Sequence, residues 1–230
     1  MITKEINNQL SIANCQVLTL PIMETFYSIQ GEGFHQGKAS YFIRLGGCDV
    51  GCFWCDVKES WDANAHPQKT IEEIIDEVKR EISLYLSAGK AFLPASSQPL
   101  IIITGGEPLL HNLDALTLQL RAENFKTHIE TSGSSALSGY WDWICLSPKK
   151  FKKPLTEVFA AAQELKIIIY NKQDFKWAEE NASHVSTKCK LYLQPEWSKS
   201  AQVTPLIIEY IKANPRWQLS MQIHKYINIP

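Results

Sequence analysis

The sequence lacks several features that would assign it to a broad functional class. Among its 230 residues, no apolar run approaches the length that spans a bilayer, and the first residues, MITKEINNQL, are too polar for a secretory signal. The formal net charge is only -1, so no overall field draws the chain toward nucleic acid or an anionic membrane. These absences predict a cytoplasmic protein that acts on a small molecule, with no direct nucleic-acid partner and no membrane partner.

Internal repeats, low-complexity tracts and long linkers are also missing, which predicts one domain over residues 1–230. Apolar residues make up 45% of the chain and charged residues 20%, as in ordinary soluble proteins, and this length can bury a sizeable core without disulfides. Strands and helices alternate after residue 55, which predicts the α/β class. Repeated βα units favour a partial, open βα barrel with a largely parallel sheet.

Individual elements follow from hydrophobic periodicity and end signals. A helix is predicted over about 70–88, with Thr70 and Glu73 as a capping box at its start. The strand PLIIITGGEP ends in a glycine turn, and Pro108 suits the first position of a following helix with Leu109, Leu113, Leu116 and Leu120 on its apolar face. Further strands are predicted at SYFIRLGG, KTHIETSG, WICLSPK, LKIIIY, KLYLQP and WQLSMQ, and further helices near 156–165, 174–181 and 202–214.

The predicted strands end in short polar or glycine-containing segments: GGC, TGGEP, ETSG, SPK and QPE. In parallel α/β sheets the carboxyl ends of the strands lie at one edge, and ligands bind there. The shared placement of these endings therefore predicts a single site.

Three of the six cysteines form a tight cluster, Cys48, Cys52 and Cys55, with the spacing C-x3-C-x2-C. In a reducing compartment such a cluster indicates metal binding or catalysis and not disulfides. Three thiolates suit a [4Fe–4S] cluster in which one iron has no protein ligand. The alternative is a structural zinc site with His66 or another residue as fourth ligand, although no second C-x2-C pair exists. The isolated cysteines, Cys15, Cys145 and Cys189, are predicted to be small buried hydrophobic residues.

Two levels of family resemblance rest on these motifs. The cysteine spacing, Trp54 before the last cysteine and TGGEP at 104–108 resemble the radical S-adenosylmethionine (SAM) superfamily. The segment TFYSIQGEGFHQGKASYFIRLGGC, with its S-x-Q-G-E-G motif, and the segment LSMQIHKYINIP resemble the 7-carboxy-7-deazaguanine synthases. Similar segments at both ends, and at TGGEP, ETSG and SPK between them, extend the resemblance over nearly the whole chain.

The resemblance implies a radical SAM lyase that converts 6-carboxy-5,6,7,8-tetrahydropterin into 7-carboxy-7-deazaguanine with loss of ammonia, in queuosine and 7-deazapurine biosynthesis. It implies a [4Fe–4S] cluster, SAM as a regenerated cofactor, a flavodoxin or ferredoxin-type electron donor and a homodimer. An activase that installs a glycyl radical on a partner protein is the first alternative, but it gives no reason for S-x-Q-G-E-G or HKYINIP. A zinc or iron–sulfur binding module without catalysis is the second.

The resemblance also implies roles for individual residues, with no catalytic residue beyond the cluster and SAM. Without it, the same positions suit polar turns, helix caps and a surface arginine. The implied cluster ligands are Cys48, Cys52 and Cys55; the implied SAM contacts are Trp54, Gly105, Gly106, Glu107, Thr131, Ser132, Ser147, Pro148, Lys149 and Gln194; and the implied substrate contacts are Ile29, Gln30, Gly31, Glu32, Arg44, Thr104, His224 and Pro230.

Magnesium is the point at which the chain departs from the family. Several members carry a hydroxyl residue two positions after the last cysteine, where it helps to hold Mg²⁺ at the substrate. Here that position is Val57, whose side chain offers no oxygen to a metal that binds hard oxygen ligands. Either substrate and water hold the metal or the enzyme works without it, so no magnesium ligand is predicted.

The family places its terminal carboxylate in the substrate site, a role that would be taken here by Pro230. Tyr226, Ile227 and Ile229 are apolar enough to dock this tail, and the alternative is a packed terminal strand with a satisfied histidine. We expect an extension past Pro230 to reduce turnover more than stability. Rates and thermal unfolding of tagged and untagged protein would test this, and normal activity of the tagged protein would contradict it.

Overall fold

A sheet of nine strands organises the part of the chain that the computed structural model describes, residues 17–88 and 98–230. In chain order the strands are β1 Thr19–Ile29, β2 Ala39–Leu45, β3 Gln68–Thr70, β4 Leu100–Gly105, β5 Lys126–Thr131, β6 Trp143–Leu146, β7 Glu164–Ile169, β8 Lys190–Pro195 and β9 Trp217–Leu219.

The order across the sheet is β3-β1-β2-β4-β5-β6-β7-β8-β9. β1 pairs antiparallel with both β2 and β3, and every pairing from β2–β4 to β8–β9 is parallel. β3 and β9 remain at the two edges, so the sheet is not closed into a barrel. The predicted open, largely parallel α/β architecture is confirmed.

The helix bounds are α1 Ile71–Ala88, α2 Asp114–Ala122, α3 Thr156–Ala161, α4 Asp174–Ala182, α5 Ser200–Ala213 and α6 Ile223–Ile227. Helices α1 to α5 lie between successive strands, and α6 follows β9. The capping box of α1 forms as predicted. The Glu73 amide donates to Thr70 Oγ1 at 3.1 Å, and the Thr70 amide donates to Glu73 Oε2 at 2.7 Å. The predicted apolar face of α1, which includes Ile74, Val78 and Ile82, is buried in the core.

The helix predicted directly after TGGEP begins later than expected. Pro108 does start a turn, but that turn is a 3-10 helix over Pro108–Leu110, and α2 begins only at Asp114. The short turn ends because His111 returns to extended backbone. α3 also ends at Ala161, earlier than predicted, because the chain enters β7 at Glu164.

β1 was missed from the sequence, which placed S-x-Q-G-E-G before the first strand. Most of β1, from Met23 to Ile29, is only half buried, so it shows neither a continuous apolar run nor a clear alternation. The tertiary pairing with β2, from Glu24↔Arg44 to Ile29↔Ala39, makes it a strand. The resulting hairpin presents residues 30–38 at its tip.

The isolated cysteines agree with their predicted role where the structure describes them. Cys145 and Cys189 are buried and free, whereas Cys15 lies outside the described residues. Within the described ranges, no helix is long and apolar enough to cross a membrane. One domain over residues 1–230 stays a prediction.

The burial of α2 allows a matched test of the fold. Leu116 is 0% exposed and Leu118, on the same helix, is 57% exposed. We expect Leu116→Ala to lower the free energy of unfolding by about 3 kcal/mol, because it leaves a cavity in the core. Leu118→Ala should change it by roughly 0.5 kcal/mol or less. Urea unfolding of both variants tests this, and equal losses would contradict the placement of α2.

Candidate active site

The carboxyl ends of the parallel strands surround a cavity of about 320 Å³. All five predicted strand endings contribute to its lining, so the structure brings them together at one edge of the sheet. The lining residues from these endings include Cys48 after β2, Thr104, Gly105, Gly106 and Glu107 at β4, Thr131 and Ser132 at β5, Ser147 and Lys149 after β6, and Gln194, Pro195 and Glu196 at β8.

The three clustered cysteines all line this cavity. Their loop turns between the second and third thiol, because the Cys55 amide donates to the Cys52 carbonyl at 3.1 Å. Burial raises the pKa of the Cys48 and Cys52 thiols, while backbone amides of Val50 and Gly51 act in the opposite direction on Cys48. Amides that favour a thiolate suit an iron ligand, which is deprotonated when bound. The donor set therefore fits the cluster that the spacing predicts.

The zinc alternative finds no support in this geometry. His66 does not line the cavity, and its Nε2 lies 2.9 Å from the Glu59 carbonyl oxygen. Among the described residues, no three His, Cys, Asp or Glu side chains converge as they would around one metal ion. A [4Fe–4S] cluster does not need such convergence, because each thiolate binds a different iron.

The glycines of TGGEP hold the end of β4 against the cysteine loop. The Gly106 amide donates to the Leu45 carbonyl at 2.9 Å, and the Glu107 amide donates to the Gly47 carbonyl at 2.8 Å. A Cβ on Gly106 would lie 2.1 Å from the Gly47 oxygen, and Gly105 has φ of 114°. Only glycine permits this approach and this conformation. The segment is therefore more specific than an ordinary strand-to-helix turn.

Glu107 is a buried structural anchor as well as a lining residue. Its carboxylate accepts hydrogen bonds from the amides of Leu109 at 3.1 Å and Ser132 at 2.8 Å, and from the hydroxyls of Thr131 and Ser132. The side chain thereby ties the end of β4 to the end of β5. The hydroxyls of Thr131 and Ser132, predicted to contact SAM, are used within the protein by this carboxylate.

Other predicted SAM residues form the remaining wall. Lys149 Nζ donates to the carbonyl and the hydroxyl of Ser147, at 2.6 and 2.7 Å, and burial lowers the pKa of Lys149. Gln194 Oε1 accepts from Ser220 at 2.7 Å. Trp54 also lines the cavity, whereas Pro148 is not among the lining residues.

A second cavity of about 160 Å³ adjoins the first. Seven residues line both cavities: Glu32, Asp56, Val57, Thr104, Gly105, Glu130 and Gln222. All eight residues predicted to contact substrate line the second cavity: Ile29, Gln30, Gly31, Glu32, Arg44, Thr104, His224 and Pro230.

The side chains of Arg44 and His224, which line the second cavity, both contact neighbouring residues. Arg44 pairs with Glu24 at 2.6 Å and lies over the Phe26 ring, 5.1 Å from its centroid. Burial lowers the pKa of His224, and Glu32 acts against this shift. Gly31 packs closely on His224, since a Cβ there would lie 2.2 Å from its Nδ1.

The tail reaches this cavity by a different route from the one predicted. It forms the short helix α6 in place of a strand, and Tyr226 and Ile227 are 56% and 53% exposed. Tyr226 nevertheless contacts the protein as expected, because its ring packs edge-on against Trp197 with centroids 5.2 Å apart and its hydroxyl lies 3.3 Å from Ser200 Oγ. Backbone contacts also hold the tail: the Ile223 amide donates to the Gly31 carbonyl at 3.1 Å, and Ser28 donates to the Pro230 carbonyl at 3.4 Å.

A central charge cluster of Glu32, Glu130 and Lys166 lies where the two cavities meet. Lys166 Nζ donates a hydrogen bond to Glu32 Oε2 and lies 3.5 Å from Glu130 Oε2. Burial by itself would raise the pKa of Glu32, but Lys166 and a hydrogen bond from Gln222 hold it at about 2. Burial opposes the charge on Lys166, but the two carboxylates raise its pKa well above the ordinary lysine value. Glu32 and Lys166 are therefore a charged pair at neutral pH.

Comparison with known proteins identifies the family. The 7-carboxy-7-deazaguanine synthase of Flavobacterium psychrophilum is 49% identical to this chain over 230 residues, which cover 100% of both proteins. The chain belongs to the 7-carboxy-7-deazaguanine synthase family. The protein of the same name from Synechocystis sp. is 42% identical over 218 residues, 95% of this chain and 97% of that protein.

A solved structure agrees with this membership. The crystal structure of QueE from Escherichia coli matches with a TM-score of 0.71 at 28% identity, over 88% of this chain and 93% of that one. No family model matches the chain. The 7-carboxy-7-deazaguanine synthase family predicted from the sequence motifs is confirmed, and the chain is therefore an enzyme, as expected.

Sequence reasoning missed Glu130 and Gln222, which line both cavities, and Lys166, which lines the first. One signal was present for Lys166, which stands inside the apolar strand LKIIIY. Lysine is almost never fully buried unless it is paired. A lysine in a buried strand therefore indicates an unseen carboxylate partner, although the sequence could not say which one.

The anchoring role of Glu107 can be tested by its neutral amide. Glu107→Gln presents an N–H₂ group to hydrogen-bond donors, so we expect a loss of about 2–3 kcal/mol in the free energy of unfolding. Glu157→Gln is the control, because Glu157 is exposed and accepts one hydrogen bond, from the backbone amide of Leu137 at 3.0 Å. Urea unfolding of the cluster-free protein compares them. Equal stability of the two variants would rule out the anchor.

Proposed function

We propose that this chain converts 6-carboxy-5,6,7,8-tetrahydropterin into 7-carboxy-7-deazaguanine with loss of ammonia. The observation that carries the proposal is the wall of seven residues shared by the two cavities. A cofactor in the first cavity and a substrate in the second would lie next to each other, because the same residues line both cavities. Such proximity is what a transfer between two bound molecules requires.

In this proposal the first cavity holds a [4Fe–4S] cluster and SAM. When bound, these groups supply the radical chemistry that removes a hydrogen atom from the substrate. Cys48, Cys52 and Cys55 would ligate the cluster. The backbone of Gly105 and Gly106 would hold the methionyl end of SAM, and Trp54 would offer an aromatic surface to adenine. Ser147, Lys149 and Gln194 complete the polar wall.

The second cavity offers complementary groups for each part of the pterin. Arg44 carries a guanidinium fork that suits the substrate carboxylate, and its pairing with Glu24 fixes its direction. The carboxylates of Glu32 and Glu130 suit the N–H groups of the aminopyrimidinone edge. His224 is neutral at neutral pH because burial lowers its pKa, so it can donate one hydrogen bond and accept another.

We further propose that the chain provides no side-chain hydroxyl to Mg²⁺. Val57 lines both cavities, and its carbonyl oxygen accepts from Ser60 Oγ at 2.6 Å. Asp56 is the adjacent oxygen donor, but it pairs with Lys225 at 2.6 Å. Any magnesium contribution would thus come through substrate and water.

The proposal includes the wider setting that the family implies. Reduction of the cluster needs an external electron, so a flavodoxin or ferredoxin-type protein is the proposed donor. We also propose that the protein is a cytoplasmic homodimer. Its product would enter queuosine and 7-deazapurine biosynthesis.

Anaerobic turnover of reconstituted protein tests the proposed function. With SAM, dithionite and 6-carboxytetrahydropterin, we expect 7-carboxy-7-deazaguanine to form while SAM is not consumed in proportion. Parallel assays with and without added Mg²⁺ distinguish a metal held by substrate and water, whose removal lowers the rate, from an enzyme that works without the metal. Cys55→Ala should abolish the reaction, and Cys189→Ala should retain it because Cys189 is buried away from both cavities. Cleavage of SAM without this product would replace the pterin assignment with a glycyl-radical activase.

A further inference from the structure

We propose that Lys166 is the positioning residue of the substrate cavity, whose ammonium group holds the side chains of Glu32 and Glu130 aligned toward the pterin. The inference rests on the proposed function for the identity of the ligand. It assigns to Lys166 a role through the two carboxylates and no direct part in the chemical step.

The position of Lys166 in the fold requires such a role. It lies on β7 between Leu165 and Ile167, both fully buried, and its side chain is only 4% exposed. Removing an ammonium group from water is strongly unfavourable unless it is paired and hydrogen-bonded. A neutral side chain would fill this place in the strand at lower cost. A lysine here therefore serves the groups that it contacts.

Those groups come from segments that are distant in sequence, and Lys166 contacts both carboxylates. Glu32 lies in the hairpin after β1, and Glu130 lies on β5. Each carboxylate has one oxygen held by an amide: Gln222 donates to Glu32 Oε1 and Gln30 to Glu130 Oε1, both at 2.8 Å. The other oxygen of each faces Lys166. Both planes are thereby fixed, and each oxygen keeps capacity to accept another hydrogen bond from a ligand.

Charge around Lys166 defines what the cavity can accept. The other titratable groups that face it are His128 on β5, Cys145 on β6, Glu164 on β7 and Lys149. Burial keeps His128 and Cys145 neutral, and burial raises the pKa of Glu164. Lys149 bonds to Ser147 at the first cavity, so at the second cavity the Lys166 ammonium faces the two carboxylates of Glu32 and Glu130. This excess of acceptors favours a ligand edge rich in N–H donors, such as an aminopyrimidinone.

Binding without turnover separates this role from chemistry. Anaerobic calorimetry with cluster-reconstituted protein and no reductant would give the dissociation constants of 6-carboxytetrahydropterin and SAM. Lys166→Met keeps length and removes charge, and we expect it to weaken pterin binding by about tenfold or more and SAM binding by roughly twofold or less. Lys126→Met is the control. Lys126 lies on β5, the strand that carries Glu130, and the substitution breaks its exposed ion pair with Asp142. Equal pterin affinities of the two variants would overturn the inference.

The pH profile provides a readout that a merely structural lysine would not move. With Lys166 present, the pKa of Glu32 is held at about 2, so the contribution of this carboxylate to pterin affinity should be flat between about pH 6 and 9. Without Lys166, burial raises the pKa of Glu32, so its carboxyl group protonates as the pH falls. The ratio of variant to wild-type dissociation constants should therefore increase from pH 9 to pH 6. A constant ratio would contradict the role.

A double-mutant cycle tests the contact without any ligand. If Lys166 holds Glu32, the loss of unfolding free energy in Glu32→Gln/Lys166→Met should be smaller than the sum of the single losses. Additive losses would overturn the inference even if the proposed function is correct. If instead the cycle shows this coupling but the wild-type protein binds no pterin, the proposed function and the assigned ligand are refuted.

Discussion

The close backbone contact between the ends of β2 and β4 is the constraint on which the site depends. Parallel pairing sets Leu45 beside Gly105, and the two amides after Gly105 then donate to carbonyls of the segment that leads into Cys48. The cysteine loop is thus joined to TGGEP by hydrogen bonds and not only by proximity. The same register places Arg44 beside Thr104, so the wall of the second cavity follows from the pairing that builds the first.

Two buried carboxylate arrangements within this frame are stabilised differently, and the difference matches their roles. Glu107 is surrounded by amide and hydroxyl donors from the β4 and β5 endings, so its oxygens are occupied by the protein and it acts as an anchor. Glu32 and Glu130 share the Lys166 ammonium group, and each accepts one hydrogen bond from a side-chain amide. The oxygens of Glu32 and Glu130 can each accept a further hydrogen bond from a ligand. A carboxylate saturated by the protein stabilises the fold, whereas one held by fewer bonds can also recognise a substrate.

Much of the fold was readable because it depends on local patterns. The apolar stripe and capping box of α1 specify a helix wherever it lies, and the buried runs of β4 and β7 specify strands. The prediction failed where tertiary contacts decide the local structure. Half-buried β1 becomes a strand by pairing with β2, α2 starts late because a short turn follows Glu107, and the tail forms a helix that leaves Ile227 exposed.

The sequence by itself determined the motifs whose members are close along the chain: the three thiols at Cys48, Cys52 and Cys55, the glycines of TGGEP and the Q-G-E-G segment that carries Gln30 and Glu32. Only the tertiary structure decided that Lys166 meets Glu32, which lies 134 positions away in the chain, and that two cavities share one wall. The physical reason is that spacing within a loop is set by covalent geometry. Contacts between strands depend on sheet order and register, which arise from burial and hydrogen bonding summed over the whole core.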